Sequence, residues 1–99
     1  MRDYIYILKL TPKFRSKENW TEKEELIVQQ HSQRLAKQKE RGVVKFVGKT
    51  DLPIENQSNF GLVVFQAEND TMAELFMRSD AAVMKGLMTA ECHPFTHVY

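Results

Sequence analysis

Residues 21–42 read TEKEELIVQQHSQRLAKQKERG, and the reading of this stretch decides the fold. Thr21 followed three residues later by Glu24 is a capping box, in which hydroxyl and carboxylate satisfy opposite orphan N–H groups at a helix start. Gly42 supplies a left-handed C-terminal cap, so the pattern predicts one long helix ending near Arg41. Leu26, Ile27, Val28 and Leu35 form its apolar stripe. Ile27, His31 and Leu35 stack one turn apart on a single face. A titratable imidazole inside such a stripe must find a fixed hydrogen-bond partner or stand at the wall of a pocket.

Outward from this helix the periodicity changes. Tyr4 to Leu10, rich in aromatic and β-branched residues, reads as a first strand that Thr11-Pro12 ends, and Lys13 to Asn19 as a polar connection. Val43 to Lys49 is a second strand, Asp51 to Asn59 a loop without periodicity, and Phe60 to Ala67 a third strand. Asn69-Asp70-Thr71 opens a second helix whose expected inward residues are Met72, Leu75, Phe76 and Ser79. A short helical turn from Asp80 to Met84 follows. Met88 to Tyr99 is the expected last strand, with Pro94 placing it at an edge or a bulge. The order β-α-β-β-α-β is the split βαβ of an α+β, ferredoxin-like fold: a four-stranded antiparallel sheet with helices on one face.

The first strand sets Tyr4, Tyr6, Leu8 and Leu10 on one face and Ile5 and Ile7 on the other. The third offers Phe60, Leu62 and Val64 against Val63, Phe65 and Ala67. Two helices cover one face only, and each large apolar side chain left in water forfeits roughly 1.5–3 kcal/mol. The second face is therefore expected to meet another subunit, giving a homodimer of sheets packed face to face; the alternative is a twisted sheet partly shielded by its own loops.

Ninety-nine residues suffice for a single core, and 42% hydrophobic with 27% charged residues is ordinary globular composition. A net charge of +1 without a basic stripe argues against a nucleic-acid partner. The densest positive stretch, Arg34 to Arg41, is broken by Glu40 and reads as a solvated helix face. Cys92, the single cysteine, excludes an intrachain disulfide and a multi-cysteine metal site, and its strand-like surroundings favour a buried structural thiol. The start leads directly into a strand and leaves no room for a signal peptide, and no apolar run approaches membrane-spanning length. The expectation is a cytoplasmic protein with no membrane partner.

Two residues are candidates for chemistry. His31 has a plain structural reading, a core histidine bonded to a backbone carbonyl. Asp80 also has one, the N-cap of the turn that follows it. A carboxylate that both caps a turn and faces an imidazole would hold the ring in one tautomer. His93 and His97 do not make a metal site, because residues four apart in a strand lie roughly 13 Å apart. Glycine-rich nucleotide loops and a nucleophile elbow are missing, so no cofactor is implied. The methionines read as core or interface fillers. Trp20 either packs under the preceding loop or forms a pocket lip.

An ordered set of residues resembles the YciI-like proteins, the YCII-related domain, over nearly the whole chain. It comprises His31 with Leu35, Gly42, Gly48, Phe60-Gly61, Asp80, Gly86 and Pro94-Phe95. Trp20-Thr21-Glu22, Gly48-Lys49-Thr50 and Met88-Thr89-Ala90-Glu91 resemble one subgroup. The resemblance implies a single domain over residues 1–99 with a ferredoxin-like fold, paired as in dimeric α/β barrels. It also implies a cleft centred on a histidine and an aspartate, which map onto His31 and Asp80. The family usually has proline after that aspartate; here Ala81 follows.

Two functions are compatible with these residues. One is a small-molecule enzyme in which His31 is general base or acid and Asp80 orients it, for proton transfer, elimination, isomerisation or hydrolysis. Tyr6 and Phe46 are the expected apolar wall of its substrate site. The other is a non-catalytic dimeric ligand-binding or accessory module using the same cleft.

Overall fold

A computed structural model describes residues 1–99. β1 (Arg2–Leu10) is followed by two short 3-10 turns, Pro12–Arg15 and Lys17–Asn19, and then by α1 (Glu22–Glu40). β2 (Val44–Lys49), β3 (Gly61–Ala67), α2 (Asp70–Arg78), the one-turn α3 (Ala81–Met84) and β4 (Met88–Pro94) complete the chain. The strands form one antiparallel sheet in the order β2-β3-β1-β4. This is the α+β, ferredoxin-like arrangement expected from the element order. No helix is long and apolar enough to cross a membrane.

The local signals act as read. Thr21 Oγ1 accepts from the Lys23 N–H while Glu24 accepts from the Thr21 N–H at 2.8 Å, which closes the capping box of α1. Gly42 follows with φ +80°, a conformation a side chain would strain. Asn69 caps α2 by accepting from the Met72 N–H at 2.9 Å.

The core lies between the sheet and the helices. Tyr4, Tyr6, Leu8 and Leu10 of β1 are buried and alternate with the half-buried Ile5 and Ile7. Val63, Phe65 and Ala67 of β3 join them from the same face. Phe76 of α2 stacks on Phe65 at 4.7 Å, and Tyr6 meets Phe65 edge-on at 5.5 Å.

That stacking sets the rotation of α2 and corrects its expected inward face. Ala73 and Met77, which flank Phe76 on the helix surface, are buried, whereas Met72 and Leu75 are exposed. Ser79 serves as the C-cap, its hydroxyl donating to the Leu75 carbonyl. A second correction concerns the last strand, which stops at Pro94 instead of running to Tyr99. Proline cannot continue the ladder, and the Phe95 N–H makes one more bond, to the Asp3 carbonyl near the start of β1.

On the helix-free face, cross-strand pairing lines up Phe46, Val64 and Ile5 in one row, and Leu62 and Ile7 in the next. β4 borders this apolar stripe with His93 opposite Ile5 and Glu91 opposite Ile7.

Candidate active site

Asp80 sits between two helices and is fully buried. As the N-cap of α3 its Oδ1 accepts from the Ala82 N–H at 2.9 Å, so the capping role read in the sequence is present. The Tyr6 hydroxyl donates to Oδ2 at 2.7 Å. His31 Nδ1 lies 2.7 Å from Oδ1 and 2.8 Å from Oδ2, reaching across from the middle of α1. The same carboxylate therefore caps a helix and holds an imidazole.

The electrostatics follow from these partners. Burial works to raise the Asp80 pKa, but the hydrogen bond and charge of His31, then Tyr6 and the Ala82 N–H, outweigh it. The carboxyl is held below the usual aspartate range and is ionised at neutral pH. Burial, with the Asp80 charge beside it, drives the Tyr6 hydroxyl upward, so the phenol stays protonated and donates. An ionised carboxylate accepts only, which assigns the proton of a neutral His31 ring to Nδ1. Nε2 then carries the lone pair, and no protein group hydrogen-bonds to it.

His31 is also part of a cavity wall. The cavity measures about 460 Å³. Leu8, Leu10 and Met88 come from the sheet, and Val28, His31 and Ser32 from α1. The remaining lining comes from Trp20, from Val47 to Lys49 at the end of β2, from Ile54 and Asn59 of the following loop, and from Phe60 to Leu62. Nine of the fifteen lining residues are hydrophobic, a mostly apolar surface with few polar groups, as small-molecule sites usually are.

The structure does not place Tyr6 and Phe46 on this wall. Tyr6 is completely buried and meets the site through its hydroxyl bond to Asp80. Phe46 lies on the opposite face of the sheet, 56% exposed. A register irregularity between Val44 and Phe46 is the cause. Val44 faces the core, and plain alternation would send Phe46 inward as well; the bulge sets Val47 opposite Val63 and turns Phe46 outward. Its ring then lies over Gly48, where a Cβ would come within 3.0 Å of it.

Trp20 fulfils both of its readings. Its Nε1–H donates to the Phe14 carbonyl at 2.7 Å beneath the preceding turn, and its ring lines the cavity. Arg34, one turn beyond His31, stacks its guanidinium 4.2 Å from the Phe76 ring centroid and donates to the Phe76 carbonyl, tying α1 to α2. Its spacing from His31 was the only signal that could have found it. Val47, Lys49 and Asn59 were likewise not singled out as cavity residues. Cys92 is half-buried opposite Tyr6, and burial, with Glu74 and Asp70 nearby, pushes its thiol up to about 11, unsuited to nucleophilic work. His93 projects beside Glu91 from the outer face, and His97 lies beyond the end of β4.

The sequence matches no family model, and no curated protein matches it. Among solved structures the chain is similar to 5-chloro-2-hydroxyhydroquinone dehydrochlorinase from Burkholderia phenoliruptrix AC1100, in its complex with 2,5-dihydroxybenzoquinone. The TM-score is 0.62 at 13% sequence identity, over 96% of this chain and 94% of that one. The two chains share a fold.

Proposed function

We propose that this chain is a YciI-like enzyme acting on a small molecule, with His31 as general base and Asp80 as the group that positions it. The carrying observation is the bond from His31 Nδ1 to the buried Asp80 carboxylate at 2.7 Å, on a ring that lines a cavity of about 460 Å³. This pairing favours a basic Nε2 on the side of the ring away from Asp80. A proton taken from carbon or oxygen of a bound substrate would leave an imidazolium, and the ionised Asp80 would stabilise it. The fold shared with a dehydrochlorinase favours elimination or isomerisation begun by such a proton abstraction.

The proposal includes a homodimer of single-domain chains, residues 1–99, in the cytoplasm. The apolar stripe of Ile5, Ile7, Leu62, Val64 and Phe46 on the helix-free face supports the pairing. The resemblance to the YciI-like proteins implies the same pairing, in the manner of dimeric α/β barrels.

Chloride release from chlorinated hydroquinones, together with deuterium exchange into the same compounds, tests the catalytic reading. The parent protein is expected to turn over at least one of them, and His31→Asn to lower kcat by about 10²–10⁴-fold. Saturable binding without turnover or exchange across the panel would favour the non-catalytic binding module.

A further inference from the structure

We propose that Lys49 and the Asn59 side-chain amide form an anion anchor, which makes the ligand of this cavity a flat, apolar organic anion such as an arene carboxylate or a phenolate. This rests on the reading of the cavity as the substrate site and adds the class of molecule it takes.

Charge decides the sign of the ligand. Apart from His31, Lys49 is the only ionisable side chain lining the cavity, and no carboxylate lines it. Asp80 is sealed behind the imidazole with no exposed surface. A cationic ligand would find no counter-charge there, whereas an anion would find an ammonium group and meet no acid.

Lys49 is free for that role. Its neighbour Lys45 is taken up by Asp3 at 2.9 Å, but the Lys49 ammonium makes no ion pair or hydrogen bond within the chain. Opposite it in the ladder stands Gly61, where a Cβ would lie 3.8 Å from the Lys49 Cβ. The missing side chain leaves space beside the lysine stem.

Asn59 adds a second donor. Its Oδ1 accepts from the Thr50 hydroxyl at 2.7 Å, which fixes the amide, and its Nδ2, a donor, makes no hydrogen bond within the chain. An ammonium and an amide N–H in one lining select an acceptor-only group. The remaining walls, among them Leu8, Val28, Phe60 and Trp20, fit an apolar body. A volume of about 460 Å³ holds one or two fused rings with a substituent.

Binding of 2-naphthoate and of its neutral isostere 2-naphthamide, followed by titration of the full chain in amide and Trp20 indole NMR signals, tests the anchor. The expected result is saturable binding that shifts the Trp20 signal, with naphthoate favoured about fivefold, the scale of one exposed charge contact. Lys49→Met should abolish that preference, and Lys45→Met, altered outside the cavity, should retain it. Equal affinities, a preference that survives Lys49→Met, or no binding of either compound would overturn the anchor. Equal affinities or a surviving preference leave the cavity reading standing, whereas no binding of either compound overturns that reading together with the anchor. The proposed role of His31 fails separately, if Asp80→Asn leaves the tautomer of the His31 ring unchanged.

Discussion

His31 and Asp80 stand 49 residues apart in the chain, yet His31 Nδ1 lies within 2.8 Å of both oxygens of the Asp80 carboxylate. One partner comes from the middle of α1 and the other from the junction of α2 and α3. The contact therefore depends on how the two helical segments dock on the sheet. Tyr6 reports that docking from below, because its hydroxyl bonds the same carboxylate from β1.

Tyr6→Phe removes that hydroxyl and leaves the aromatic contacts with Phe65 and Phe76 in place. The loss of a hydrogen bond to a buried charged group should lower stability by about 2 kcal/mol. Equilibrium urea denaturation at neutral pH measures it, and a change within 0.5 kcal/mol would mean that the bond contributes little.

Asp80 links stability to acid. Its carboxyl is held below the ordinary value of 3.8 in the folded chain, so the folded state favours the ionised form. The stabilisation it contributes is complete above about pH 4 and is lost as pH falls through the depressed folded value. Denaturation midpoints measured from neutral pH downward should show the advantage of the parent over Asp80→Asn shrinking in that acid range. Tyr6→Phe, which takes one stabilising donor from the carboxylate, should move the loss to higher pH.

The helix-free face predicts an assembly. Light scattering after size exclusion should give about twice the 11.6 kDa chain mass for the parent protein. Ile7→Lys places a charge in the apolar stripe, opposite Glu91 of β4, which can pair with it in a monomer. The variant should remain folded by circular dichroism and run at the mass of one chain. A parent that is monomeric at micromolar concentration would contradict the face-to-face pairing.

The sequence carried the local decisions of this fold well. The capping box at Thr21 and Glu24, the positive φ of Gly42 and the alternation of β1 are each governed by near neighbours, and each is present as expected. His31 was legible because an imidazole breaks an apolar stripe, and Asp80 because it stands where a turn needs a cap. The less legible features depend on distant contacts. The inward face of α2 is rotated by the stacking of Phe76 on Phe65, so the small Ala73 is buried and Leu75 is not. Phe46 was misplaced because a bulge inverts alternation without any mark in β2 itself. The Tyr6 hydroxyl finds Asp80 only once β1 lies beneath the end of α2. Asn59 and Ile54 reach the cavity from a loop that has no periodicity to read.

The tautomer of His31 tests the central claim most directly. Long-range ¹H–¹⁵N correlation of the histidine ring, at a pH where it is neutral, distinguishes the protonated nitrogen from the bare one. The parent protein should show Nδ1–H with an unprotonated Nε2, and Asp80→Asn should lose that single pattern. An Nε2–H tautomer in the parent, or a pattern unchanged in Asp80→Asn, would contradict the assignment of Nε2 as a base held in place by Asp80.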